Sequence, residues 1–391
     1  MNVRGEQTWR RMRYHGLMLT RALLSALLLA VASPVFAQKL ASPEVSPDGR
    51  VTFRLRAAGA KEVVLRLETL APTAMQRDAT GLWSFTTAPM PPDIYVYDYQ
   101  VDGLRITDPE NPLLKYNLLH SESQVHVPGP ASLPWEISDV PRGTVHRHYY
   151  RSAVVGDDRD FLVYTPPGYD PHATTPYPVL YLLHGYSDDA TAWTAVGRAH
   201  VILDNLIARG QAQPMLIVMP LGYGDWGMIA AGWGGISDLG LRRRNYAKFR
   251  EALIGEVMPR VEAAYRVSTE RNGRAIAGLS MGGTESLFVG LNDVDRFAWI
   301  GAFSAGGLGS DFATQLPSPR PDDAARLRLL WIACGREDGL FASNQQLVEW
   351  LRSKGLKPTW VEQSGAHTFL VWRRCLAALA PLLFRALPPP R

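Results

Sequence analysis

The sequence predicts an α/β protein: a mostly parallel central sheet covered by helices on both faces, preceded by an all-β sandwich. Three observations predict this. Between residues 43 and 128, short runs alternate apolar and polar residues and are separated by turn sequences. From about Thr144 onward, apolar strand-like runs alternate with segments of helical spacing. The six residues GLSMGG, 278–283, stand between one such strand and one such helix.

Ahead of both regions lies a targeting segment. Arg4, Arg10, Arg11, Arg13 and Arg21 precede ALLSALLLAVASPVFAQ, an apolar core that ends in the small residues Val35 and Ala37 before Gln38. This is the pattern of an export signal cut after Ala37. Residues 1–37 are therefore expected to be removed, and the mature chain to be secreted or periplasmic. The apolar run falls short of the roughly 20 residues of a membrane span, so no stable membrane association is expected after cleavage.

Residues 38–128 carry VTFRL (51–55), EVVLRL (62–67), LWSFTT (82–87), IYVYDYQV (94–101) and SQVHV (123–127), punctuated by PDG, DATG, PPD and VDG. Short strands at this spacing predict an immunoglobulin-like sandwich. Tyr95, Tyr97 and Tyr99 share one face at period 2 and read as core or domain interface. Residues 129–143, in the Pro-rich stretch VPGPASLPWEISDVPRG, read as a linker packed on a neighbour.

Residues 144–391 open with an antiparallel pair, VHRHYYRS and RDFLVYTPPGY. Buried strands follow at PVLYLLH (178–184), PMLIVMP (214–220), RAIAGL (274–279), FAWIGAFS (297–304) and RLLWIACG (328–335), then TWVEQ (359–363). The intervening helices are VGRAHVILDNLIARG (196–210), YAKFREALIGEVMPRVEAAY (246–265), TESLFVGLN (284–292) and NQQLVEWLRSKG (344–355), with a last helix from Phe369. Phe249, Leu253, Val257 and Val261 fall on one face of the second. Alternation of this kind makes a parallel sheet.

Composition excludes several classes. The chain has 391 residues, 46% hydrophobic and 20% charged, which is ordinary globular material. Its net charge of +4 is partly the N-terminal arginines. The other dense basic run, Arg242–Arg244, reads as a solvated helix start, so no nucleic-acid partner is expected. No phosphate-loop or dinucleotide glycine motif and no metal-ligand cluster occurs, so no cofactor and no metal is expected. Cys334 and Cys375 permit one bridge; Cys334, in an apolar strand, reads as a small buried residue.

G-x-S-x-G at a strand-to-helix junction is the nucleophile elbow of an α/β-hydrolase. Ser280 is then the nucleophile, and the Met281 N–H points where an oxyanion would form. A serine hydroxyl needs a base. In this fold the order is serine, acid, histidine, and His367 is the only histidine after Ser280. Asp338, just past the strand ending near Gly335, is the preferred acid, with Glu337 beside it as the alternative. The loop YLLHGYSDD (181–189) is expected to supply a second oxyanion donor, the Tyr186 N–H, while His184 supports that loop. Among the aromatics at this end of the sheet, Trp193, Trp226, Trp233 and Trp372 are expected to touch substrate, with Tyr186 and Tyr223 beside them.

These residues carry a resemblance. PVLYLLHGYSDDATAWTAVGRAHVILDNLIARG, LIVMPLGYG, AIAGLSMGG, IACGREDGLF and SGAHTFLVWRRCL resemble the esterase D-like family, in particular the secreted feruloyl esterases of carbohydrate esterase family 1. The likeness runs from about Thr144 to the C-terminus. It implies hydrolysis of hydroxycinnamoyl esters on plant arabinoxylan, with Ser280, Asp338 and His367 as triad. The same fold family includes acetylxylan esterases, siderophore trilactone esterases, thioesterases and mycolyltransferases. SPDGRVTFRLRAAGAKEVVLRLE, GLWSFTT and YVYDYQVDGLRITDPENP resemble the early-set module called carbohydrate-binding module family 48, which implies a glycan contact through the N-terminal domain. Three other readings stay open: a siderophore trilactone esterase, an acetylxylan esterase, and a glycan-binding protein on a degenerate esterase fold.

Overall fold

Period-2 alternation builds two antiparallel sheets at the start of the chain. Their strands are β1 (Glu44–Val45), β2 (Val51–Arg56), β3 (Val63–Leu67), β4 (Thr73–Ala74), β5 (Gln76–Arg77), β6 (Leu82–Thr86), β7 (Asp93–Val101), β8 (Leu104–Ile106), β9 (Leu114–Lys115) and β10 (Glu122–Val127). One sheet has the order β1-β2-β6-β5; the other has β4-β3-β7-β10-β9, with β8 against β7. The structure is a computed structural model that describes residues 40–309, 311–320 and 322–385. The expected export signal lies outside the described residues.

Alternate residues of these strands point into one shared core. Val51, Phe53 and Leu55 come from β2, Val63, Leu65 and Leu67 from β3, and Tyr95, Tyr97 and Tyr99 from β7. Phe53 meets Tyr97 edge-on at 4.6 Å. The tyrosine row is therefore core. Burying its hydroxyls requires acceptors, and Asp108 supplies one: Ser42, Tyr97 and Tyr99 donate to it at 2.6, 2.8 and 3.1 Å.

The Pro-rich stretch forms no strand or helix and lies on α1 (Ala199–Ala208). Asn205 of α1 donates to the carbonyls of Pro134 and Glu136 at 2.8 and 2.7 Å, and Trp135 is buried among α1 residues.

The second part carries the main sheet. It comprises β11 (Thr144–Arg151), β12 (Asp158–Thr165), β13 (Val179–Leu183), β14 (Leu216–Pro220), β15 (Arg274–Leu279), β16 (Trp299–Phe303), β17 (Leu329–Gly335) and β18 (Thr359–Gln363), in the order β11-β12-β14-β13-β15-β16-β17-β18. β12 runs antiparallel to both neighbours; β14 to β18 pair in parallel through β13. Both faces are dry. Leu180, Leu182, Ile217 and Ala277 pack with α1 and α6 (Phe369–Leu379). Val179, Tyr181, Leu183, Val218 and Ile276 pack with α2 (Leu239–Ala252), α3 (Met258–Ala264), α4 (Met281–Asn292) and α5 (Phe341–Ser353). Strands apolar on both faces follow from this cover.

Two boundaries differ from the sequence reading. α2 begins at Leu239, because the Asp238 side chain caps it by accepting from the Leu241 N–H at 3.0 Å. The Arg242–Arg244 run therefore lies inside the helix, and Arg242 is buried, 8% exposed, rather than solvated. A π-helical turn, Leu253–Val257, joins α2 to α3. Cys334 and Cys375 are buried and unbridged.

A buried charge pair links the first sheets to the second part. Arg373 of α6, wholly buried, donates to Asp93 of β7 at 2.6 and 3.1 Å, and to the carbonyls of Ile94 and Val196 at 2.6 Å each.

Candidate active site

The carboxyl ends of the parallel strands bring together residues far apart in sequence. Ser280 occupies the one-residue corner between β15 and α4, at φ 51° and ψ −116°. A side-chain residue there stores roughly 1–3 kcal/mol of strain, tolerated where surroundings over-determine the backbone. Its N–H donates to Phe303 O at 2.8 Å, and its carbonyl accepts from Gly306 N–H at 2.9 Å. Gly282 is needed for close approach: a Cβ there would collide with the His184 carbonyl oxygen. At Gly185 an added Cβ would press only on the end of the Leu279 side chain.

His367 lies in the loop between β18 and α6. Its Nε2 is 2.9 Å from Ser280 Oγ, and its Nδ1 is 2.8 Å from Asp338 Oδ2. Asp338, past the end of β17 and 5% exposed, also accepts from Leu340 N–H at 2.8 Å. Burial works against its charge, but the bond and charge of His367, the Leu340 amide and the Ser304 hydroxyl outweigh it, and its carboxyl is held below the usual carboxylate range. Glu337 turns elsewhere and accepts from the Gly365 N–H. An imidazole held this way, with Nδ1–H on a carboxylate, can take a hydroxyl proton at Nε2.

Two backbone amides flank Ser280. Met281 is the first residue of α4, so its N–H has no intrahelical partner and sits at the positive end of the helix. The Tyr186 N–H belongs to the same planar peptide as the Gly185 carbonyl. That carbonyl is gripped: His184 Nδ1–H donates to it at 2.8 Å and the Tyr223 hydroxyl at 3.5 Å. Gripping one side of a trans peptide aims the other. His184 Nε2 in turn accepts from Gly222 N–H at 2.9 Å, and burial holds its imidazole below its ordinary pKa, hence neutral. No described backbone carbonyl accepts from either the Tyr186 or the Met281 amide.

Ser280 and His367 open on a cavity of about 700 Å³. The expected tryptophans divide. Trp372 lines the cavity, edge-on to His367 at 4.9 Å, and its Nε1 donates to Ser304 Oγ at 3.2 Å. Trp233, 64% exposed, lines it too, tilted against Tyr186 at 5.9 Å. Trp193 is not a cavity residue. It is wholly buried, donates to Leu183 O at 2.9 Å and packs against Phe303 and Phe369, because its short helix faces the sheet. Trp226 is also outside the cavity; it stacks on Tyr223 at 5.6 Å and donates to Asp157.

Two sets of residues were not foreseen. Ser304, at φ 47° at the end of β16, joins Asp338 to Trp372; the only sequence signal was a serine closing a parallel strand. The first sheets supply a whole cavity wall: Glu68, Arg105, Lys115, Asn117, His120 and Glu122. Burial pushes the Glu68 carboxyl up to about 7. Such cross-chain contacts leave no mark on local periodicity.

A family profile described as a putative esterase matches residues 152–378. The chain belongs to this esterase family. It is similar to an endo-1,4-beta-xylanase/feruloyl esterase of Xylanibacter ruminicola, 31% identical over 360 residues, which cover 88% of this chain and 46% of the relative. It is also similar to an esterase of Mycobacterium tuberculosis, 34% identical over 156 residues, 38% of this chain and 30% of that one. The chain thus spans less than half the length of these two curated relatives. Among solved structures, the ferulic acid esterase of Anaeromyces mucronatus shares the fold at TM-score 0.55 and 24% identity, over 66% of this chain and 95% of that one. The enterobactin esterase of Shigella flexneri shares it at TM-score 0.65 and 21% identity, over 90% and 98%. The likeness to the Shigella protein extends over most of the chain, in keeping with an α/β-hydrolase fold that has strands ahead of it.

Proposed function

We propose that this esterase-family chain is an exported serine hydrolase of carboxylic esters, with hydroxycinnamoyl esters such as the feruloyl groups of plant arabinoxylan as its substrates. The observation that carries the reading is the continuous hydrogen-bonded chain Ser280–His367–Asp338 opening on a cavity with an aromatic edge. Ser280 Oγ attacks the ester carbonyl as His367 Nε2 takes its proton. The Tyr186 and Met281 amides receive the oxyanion, and Asp338 holds the imidazolium. Collapse expels the alcohol, protonated by His367, and a water activated by the same imidazole then frees Ser280. The Xylanibacter relative and the Anaeromyces structure, both feruloyl esterases by name, support the acyl choice.

In this reading residues 1–37 are an export signal, 38–128 an early-set immunoglobulin-like module, 129–143 a linker and 144–391 the catalytic domain. The siderophore alternative wants a basic cavity for an anionic catechol ligand. The cations in the wall do not provide it: Lys115 pairs with Glu122 and Asp188, and Arg105 with Asp98 and Glu122. A neutral ester suits that wall better. The test sets methyl ferulate, an aryl acetate and a ferric catechol trilactone side by side, with wild type and Ser280→Ala. Turnover of the ferulate by wild type and none by a folded Ser280→Ala chain is expected. Retained activity in that variant sinks the assignment, and preference for the trilactone replaces the substrate.

A further inference from the structure

The loop that carries the Tyr186 amide is gripped a second time, by the first part of the chain. Past β9 the backbone runs to an antiparallel bridge between Asn117 and Asp188. The Leu118 N–H donates to Ser187 O at 2.7 Å. Asn117 Nδ2 donates to Ser187 Oγ at 2.8 Å and to Asp188 Oδ1 at 3.2 Å. The amide is preset for this: Asn117 Oδ1 already accepts from the N–H groups of Leu119 and His120, at 3.0 Å each, which leaves the NH2 end to face the loop. Lys115 Nζ stands behind it, 3.4 Å from Asp188 and 3.2 Å from Glu122, and 5.9 Å from the ring centre of Phe369, two residues after His367.

The grip falls on a strained residue. Ser187 has φ 66°, in the left-handed region that side-chain residues rarely occupy. Such a conformation persists where neighbours over-determine it, and here those neighbours include Asn117 and Leu118, with the Tyr223 hydroxyl on the Ser187 backbone from the other side. Burial of Lys115 opposes its charge, yet the carboxylates of Asp188 and Glu122 raise its ammonium above the usual lysine value. The ion therefore stays charged and holds Asp188 in place.

We propose that Asn117, backed by Lys115, is a positioning residue for the Ser280 reaction: it fixes Ser187 and Asp188 and thereby keeps the adjoining Tyr186 N–H aimed at the oxyanion. The inference rests on the serine esterase reading. It makes the N-terminal sheets part of the chemical step.

The test uses the full chain, with an aryl acetate as substrate and an arylboronic acid as the tetrahedral adduct on Ser280. Removing an oxyanion donor outright costs about 10²–10³ in kcat, so a misaimed donor in Asn117→Ala is expected to cost about tenfold. KM for the acetate and affinity for an unreactive amide analogue should stay within about twofold, and boronate affinity should fall with kcat. Ser187→Ala removes the same hydrogen bond from the loop side. It should show the same signature, no larger because the Asn117 bond to Asp188 survives, and the double variant should be no worse than Asn117→Ala alone. It also carries the test if Asn117→Ala does not fold. An unchanged kcat overturns the proposal. So does a loss of kcat without loss of boronate affinity, or a parallel loss of amide-analogue binding. A wild-type chain that neither turns over the acetate nor binds the boronate overturns the esterase reading, and this one with it.

Discussion

Asp338 and Glu337 are neighbours with the same chemistry, and only their surroundings separate them. Asp338 meets His367 Nδ1 at 2.8 Å; Glu337 takes the Gly365 amide instead. The acids should therefore differ sharply when neutralised. Asp338→Asn presents an amide to Nδ1 and disfavours the working tautomer, with a loss in kcat of the order of 10⁴. Glu337→Gln should stay within a few-fold of wild type. Steady-state kinetics on the aryl acetate compares them, and the reverse ranking would make Glu337 the acid. Ser304→Ala is subtler. It removes the acceptor of the Trp372 indole and one donor to Asp338. A charge-assisted hydrogen bond is worth about 1.5–3 kcal/mol, so kcat should fall about tenfold and the melting temperature should drop by several degrees. Both the serine and histidine were legible in advance because motif and chain order constrain them. Ser304 was not, since nothing local marks which strand-end serine faces the acid at the end of the neighbouring strand.

At the level of elements, α4 carries an unusual burden: ten of its twelve residues are buried, Glu285 among them. Glu285 accepts from Asn245 Nδ2 at 2.9 Å, while its other oxygen has no partner. Burial holds its carboxyl well above its ordinary value of 4.5. The sign follows. An unfolded glutamate ionises near 4.5 and the folded one resists, so the neutral carboxyl favours the fold fully below that pH and its contribution is lost as pH rises. Glu285→Gln keeps the shape without the titration. Its melting temperature should gain on wild type between pH 4.5 and pH 8, measured by calorimetry across that range. A difference flat with pH would mean Glu285 is ionised in the fold. The strands and helices around it were mostly legible, since period 2 and period 3.6 describe what one element buries. Boundaries were less so. α2 began earlier because Asp238 caps it, and Arg242 went inward because a whole-helix register, not a local charge count, decides its face. Trp193 illustrates the same limit: an indole near the strand ends serves either cavity or core, and its short helix turned it toward the sheet.

At the level of the whole molecule, the two parts share a cavity and buried ion pairs, Arg373 with Asp93 the most deeply enclosed. Arg373 and Asp93 lie 280 positions apart, so neither the pair nor the cavity wall from residues 68–122 could be read from local sequence. Texture alone separated an alternating first part from a strand-and-helix second part; it said nothing of their contact. Arg373→Met leaves Asp93 buried without its cation and two carbonyls without a donor, which should cost about 3–5 kcal/mol in denaturant unfolding. Pairing it with Asp93→Asn should recover part of that. Failure of either shift would show the pair to be solvated. The same guanidinium bears on recombination. A chimera that keeps residues 144–391 and borrows another protein's leading sheets inherits a cation aimed into a dry seam. Unless the donor presents a carboxylate at the position of Asp93, the join is penalised before any substrate arrives. Lineages that shuffle such halves should exchange both partners together, or neither.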